Sequence, residues 1–177
     1  FNILGGFLND KKKIINSMKI PKNVNFFSYK FYKNVGKFLL SNDILIAPYQ
    51  KKIGNFGEID TAKYMSPLKI FEYMSSKKAI ICSNHKVLKE VLINNKNSIL
   101  CDPNILSHWT NAIKKLKNKK YRDYLGNNAY RDFKKNFTWK KRVIKILTEL
   151  KSENKRSHLR LLGMEKTSPV NINVSMF

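Results

Sequence analysis

The chain of 177 residues is poor in acid: 12 Asp and Glu stand against 35 Lys and Arg, for a formal net charge of +23. It is also poor in cysteine, proline and glycine, with two, five and seven of each. Two isolated cysteines, Cys82 and Cys101, cannot make a disulfide framework and are not at metal-ligand spacing. Free thiols and a reducing, cytoplasmic setting are the expectation. So few prolines and glycines exclude a collagenous or low-complexity chain. No apolar run approaches the roughly 20 residues of a membrane helix. Phe1-Asn2-Ile3-Leu4-Gly5-Gly6 lacks the basic leader and cleavage pattern of a signal peptide. The chain opens on phenylalanine rather than methionine, so a preceding segment is expected.

What is present is a globular composition, 42% hydrophobic, long enough for one ordinary core. Short apolar runs alternate with helical patterns. Strands are predicted at Phe1–Gly6, Val24–Phe27, Asp43–Ala47, Ala79–Cys82 and Ser98–Cys101. Helices are predicted at Asp10–Met18, Lys30–Leu40, from Pro67, at Lys86–Leu92, Leu106–Lys117, Lys120–Lys135 and Trp139–Lys151. That alternation predicts an α/β fold, a parallel sheet with helices on both faces. Ligands of such sheets bind at the carboxyl ends of the strands. Pro48, the loop carrying Gly54-Asn55-Phe56-Gly57, Ser66 and Ser83 fall there. Residues 152–177 lose the helical period and are expected to be an irregular or disordered tail to a domain of residues 1–151.

The stretch from Ser66 to Ser83 is the most informative. Ser66 suits a helix N-cap and Pro67 the first helical position. Lys69 then sits in the first turn, where the free N–H groups already carry partial positive charge. A bound anion would turn that conflict into an attraction; a plain solvated lysine is the competing account. Glu72 lies among Ile70, Phe71, Tyr73 and Met74. A carboxylate in such company is at a rim or hydrogen-bonded to something polar. Phosphates at one end of a ligand and hydroxyls nearby would satisfy both residues.

Ser66-Pro67-Leu68-Lys69-Ile70-Phe71-Glu72-Tyr73-Met74 closely resembles the donor-binding motif of family 4 glycosyltransferases of the GT-B fold. The resemblance continues through Ala79-Ile80-Ile81-Cys82-Ser83-Asn84, Val87-Leu88-Lys89-Glu90-Val91 and Asn97-Ser98-Ile99-Leu100 to Phe137-Thr138-Trp139. Upstream it takes in Asn42-Asp43-Ile44-Leu45-Ile46-Ala47-Pro48 and Ile3-Leu4-Gly5-Gly6. It implies a Rossmann-like, carboxyl-terminal half of a GT-B enzyme, and transfer, with retention, of a sugar from a nucleoside diphosphate to a glycan or lipid-linked glycan. The donor is a substrate, and no cofactor or metal is expected. By resemblance, Glu72 matches the second glutamate of an E-x7-E motif, which binds ribose hydroxyls. Ser66, Pro67, Leu68 and Lys69 would face the diphosphate. The first glutamate of that motif, which contacts the transferred sugar, is replaced by Tyr64. Branches with Ser-Pro-Leu-Lys here commonly lack it too, and Glu58 is a candidate substitute. The catalytic residues stay unassigned.

A nucleotide-binding module without turnover is the alternative, and a basic nucleic-acid-binding protein ranks last, since no nucleic-acid motif is present. The charge has two readings. It draws the chain to an anionic surface, with the densest stretch from Lys114 to Lys145 resting on lipid headgroups, or it is a bias that puts lysine on every solvent face. Gly5-Gly6 is either a phosphate-approach turn or a tight strand-to-helix turn. His85 is not expected to be catalytic, Glu90 is expected to pair with Lys86, and Trp109 and Trp139 are expected to pack in the core or between helices.

Overall fold

A computed structural model describes residues 1–5, 12, 16–17, 19–50 and 68–161, the side chains of 154–161 excepted. The chain forms two compact units, residues 1–42 and 43–177.

In the first unit, β1 (Asn2–Leu4) pairs in parallel with β2 (Asn25–Phe27), and α1 (Tyr32–Leu40) follows. Phe27 packs edge-on against Phe38, ring centroids 5.2 Å apart. Lys30 lays its ammonium over both rings, at 6.0 and 5.9 Å. Of the helix expected at Asp10–Met18, Lys12, Asn16 and Ser17 are helical; its other residues lie outside the described set.

The second unit holds β3 (Ile44–Ala47), α2 (Leu68–Ser75), β4 (Ala79–Ser83), β5 (Ile99–Cys101), α3 (Leu106–Lys115), α4 (Lys119–Asp132) and α5 (Trp139–Leu161). The three strands are parallel, in the order β3-β4-β5, with Ile44 opposite Ala79 and Ile81 opposite Ile99. Every residue of the central strand β4 is buried, which explains why it reads as a continuous apolar run. Alternate side chains go to opposite layers. Ile80 and Cys82 pack with Ile70 and Met74 of α2 and with Ala129. Ala79 and Ile81 pack with Ala112, Leu116 and Leu125. Helices therefore cover both faces, in the expected Rossmann-like arrangement.

Helix α4 reaches both layers because it passes beneath the amino end of β4. A β-carbon on Gly126 would lie 2.5 Å from the carbonyl oxygen of Lys77. Lys77 itself closes α2 at a positive φ of 60°.

Four expectations need correction. Lys86–Leu92 is not an α-helix but a 3-10 turn over Val87–Glu90. The chain is turned there by buried Asn97, which accepts from the Ile93 N–H at 2.7 Å and donates to the Val91 carbonyl at 3.2 Å. Without an α-helical turn, Lys86 and Glu90 are not stacked, and no ion pair joins them among the described residues. Trp139 is 74% exposed rather than packed between helices, although Trp109 is half-buried and donates to the Asp102 carbonyl at 2.9 Å. Helix α5 runs ten residues beyond Lys151, to Leu161, into the segment expected to be irregular. The basic stretch from Lys114 to Lys145 runs through α3, α4, a π-helical turn (Phe133–Phe137) and α5. Cys82 and Cys101 are free, as expected; both are buried, and they face opposite layers of the sheet.

Candidate functional site

Helix α2 is fastened by Ile70 and Met74, both fully buried, four residues apart on one face. That anchoring fixes the rotation of the rest. Leu68 and Lys69 are exposed, and Glu72 and Tyr73 are half-buried. The first turn carries no acidic residue, so its N–H groups and the Lys69 ammonium add as positive potential.

Lys69 and Glu72 are three residues apart on the helix, yet no ion pair joins them among the described residues. Lys69 instead places its ammonium 5.8 Å from the centre of the Tyr49 ring, two residues beyond β3. The Glu72 carboxylate makes no hydrogen bond or ion pair among the described residues. A cation and a carboxylate thus stand close in sequence without neutralising each other.

The carboxyl ends of β3 and β4 are tied together beside Lys69. The Ser83 hydroxyl donates to the Tyr49 carbonyl at 2.6 Å. The Tyr73 hydroxyl makes a long contact, 3.5 Å, with the Ile46 carbonyl. His85 sets its ring edge-on to Tyr49, centroids 6.5 Å apart, and its Nε2 is buried without a hydrogen-bond partner among the described residues. Burial pushes the Tyr49 and Tyr73 phenols up to about 12. Burial also lifts the Cys82 thiol to about 12, against the opposing pull of the Ser83 backbone N–H and of Lys69. These three groups stay neutral in ordinary buffers, so none is a nucleophile or base there. The available chemistry is recognition. A cation and a helix N-terminus suit an anion, and a free carboxylate suits hydroxyl groups.

Of the residues singled out by sequence, Leu68, Lys69 and Glu72 fall within the described structure and share one helix. Tyr64, Ser66 and Pro67 lie outside the described residues, as do Glu58 and Gly54–Gly57. Gly5 has a φ of 104° at the end of β1, and Gly6 lies outside. Sequence reasoning missed Tyr49. The available signal was an aromatic placed one residue beyond a strand-ending proline. No group of three His, Cys, Asp or Glu side chains able to hold a metal occurs among the described residues. No helix among them is long and apolar enough to cross a membrane.

Solved structures with this fold include sucrose-phosphate synthase from Thermosynechococcus elongatus, with a TM-score of 0.68 and 14% identity over 88% of this chain and 38% of that one. Anabaena HepE, solved in complex with UDP-glucose, superposes with a TM-score of 0.64 and 14% identity over 85% of this chain and 40% of that one. The C-terminal domain of a group 1 family glycosyl transferase from Francisella tularensis gives a TM-score of 0.58 and 20% identity over 75% of this chain and 64% of that one. The chain thus spans well under half of the first and second of these proteins. No curated protein sequence matches it. The model of the family "Glycosyl transferases group 1" matches residues 2–132, most of the chain, and the chain belongs to that family.

Proposed function

We propose that this chain is the donor-binding, carboxyl-terminal half of a retaining, family 4 glycosyltransferase, with residues 1–151 as its Rossmann-like domain. The observation that carries the reading is the opening of α2. Lys69 stands in a first turn without acids, and Glu72, one turn on, has a carboxylate with no partner among the described residues. In this reading Lys69 and the N–H groups of the helix start hold the diphosphate, and Glu72 accepts from ribose hydroxyls. Ser66, Pro67 and Leu68 line the diphosphate side, with Tyr64 near the transferred sugar. HepE was solved with UDP-glucose, which makes a uridine diphosphate sugar the first donor to try. As the sugar departs, negative charge grows on the diphosphate, and fixed donors that meet it lower the barrier. The acceptor is a glycan or a lipid-linked glycan. The donor is the only small molecule the reading requires. The two free, buried cysteines support a reducing, cytoplasmic setting.

Affinity measurements with matched ligands test this. Glu72→Ala should weaken UDP-glucose and uridine alike by roughly ten- to a hundredfold, about 1.5–3 kcal/mol of charged hydrogen bonding. Lys69→Ala should weaken UDP more than uridine, because only UDP carries the charge it meets. Unchanged affinity in both variants overturns the assignment.

A further inference from the structure

A lysine and a glutamate three residues apart on a helix are neighbours and attract each other. Lys69 and Glu72 form no ion pair. The Lys69 ammonium lies instead over the face of the Tyr49 ring, 5.8 Å from its centre. A cation is drawn to the negative face of an aromatic ring at least as strongly as an exposed lysine is to a glutamate one turn away. A glutamate partner would cancel the charge of the lysine. The ring holds the ammonium and leaves the charge intact, because burial pushes the Tyr49 phenol up to about 12 and keeps it neutral.

The ring is held in its turn. The Tyr49 N–H donates to the Ala47 carbonyl at 3.1 Å, closing a tight turn around Pro48. The Tyr49 carbonyl accepts from the Ser83 hydroxyl at 2.6 Å, which ties it to the end of β4. The His85 ring meets Tyr49 edge-on, centroids 6.5 Å apart. Tyr49 is thus fixed to the carboxyl end of the sheet, while Lys69 is an exposed, long side chain on the first turn of α2. Such a lysine loses rotamer freedom when it grips an anion, and holding it beforehand lowers that cost. An ammonium carries three N–H donors, and the ring takes up one side of it, so donors remain for an anion.

We propose that Tyr49 is a positioning residue of the donor site: its ring holds the Lys69 ammonium off Glu72, so that the cation stands ready for a diphosphate and the carboxylate for hydroxyl groups. This rests on the donor reading given above. Tyr49 acts through Lys69, so its effect is confined to ligands that carry phosphate charge.

The test compares UDP with uridine on the full 177-residue chain at low salt. Tyr49→Leu should lower the ratio of UDP affinity to uridine affinity about two- to fivefold. Tyr49→Phe keeps the ring and should restore the ratio. A loosened fold weakens both ligands together and leaves the ratio alone. In a Lys69→Ala chain, Tyr49→Leu should change the ratio no further, because the residue it acts through is gone. The contact is also read without any substitution. In the isotope-labelled chain, nuclear Overhauser effects should join the Lys69 ε-methylene to the Tyr49 ring protons. Their absence overturns the proposal even where the Tyr49→Leu chain fails to fold. An equal fall in the ratio with and without Lys69 overturns it as well, since Tyr49 then acts by another route. If Lys69→Ala lowers the ratio and Tyr49→Leu does not, the donor site stands and this inference alone fails. If neither lowers it, the donor reading fails and takes this inference with it.

Discussion

Cys82 shows how much a single buried group can set. Its thiol is raised from an ordinary 9.0 to about 12 by burial, and the Tyr49 and Tyr73 phenols from 10.0 to about 12. All three are held as neutral forms in the fold, while the unfolded chain releases these protons at lower pH. Rising pH therefore favours unfolding. The stability these groups contribute is complete below about pH 9 and is lost toward pH 12. Urea unfolding followed against pH should show its alkaline loss in that window, with a shallower slope in Cys82→Ala. Gly126 acts through space rather than charge. A methyl there meets the Lys77 carbonyl at 2.5 Å, against backbone that cannot swing aside. Gly126→Ala should cost about 1–3 kcal/mol in urea unfolding. Gly36, in the middle of α1, is the control, because a methyl added there would have nothing within 4 Å. Gly36→Ala should stabilise by about 0.5–1 kcal/mol.

At the scale of elements, legibility followed the range of the contacts that decide each one. Strand β4 was readable because both its faces are buried, so Ala79–Cys82 needs no alternation. The rotation of α2 was not, because Ile70, Phe71, Tyr73 and Met74 are all apolar, and their packing on β4 decides that Ile70 and Met74 are the two fully buried. The turn at Val87–Glu90 was not, because its apolar spacing also fits an α-helix and the deciding contacts come from Asn97. Trp139 was misjudged because an aromatic residue's burial depends on a partner that its own sequence does not name. The proximity of Tyr49 to Lys69 was hidden for the same reason: twenty residues separate them in the chain. Leu100, on the outer strand of the sheet β3-β4-β5, has its N–H capped by the Asn94 side chain at 3.0 Å, a local block to further strand pairing. The end of α2 offers a prediction. Lys77 holds a left-handed conformation that costs a non-glycine residue about 1–2 kcal/mol. Lys77→Gly should raise stability by roughly 1 kcal/mol, read as a higher urea midpoint.

For the whole molecule, family and fold come from the matched residues 2–132 and the parallel strands with helices on both faces. The donor site is our proposal. The chain corresponds to 38–40% of the synthase and of HepE. In the GT-B reading the catalytic cleft lies between two Rossmann-like halves. One half leaves the donor open to water, which weakens each polar contact, and gives the acceptor nothing to orient it. The 177-residue chain should therefore bind a nucleoside diphosphate sugar on the order of millimolar, about −4 kcal/mol. It should transfer no sugar in a radiolabelled-donor assay with soluble and lipid-linked acceptors. Robust transfer by this chain alone contradicts the two-half reading.

The most direct measurement is a titration of the isotope-labelled chain with UDP-glucose, followed by backbone amide chemical shifts. The proposal predicts that the largest changes fall on Leu68–Tyr73, with Tyr49 and Ser83 responding through their contacts. UDP should reproduce the changes at Leu68 and Lys69, and uridine alone should not. Saturable shifts centred elsewhere, on α3 or β5 for example, or no saturable shifts at donor concentrations well above millimolar, would contradict it.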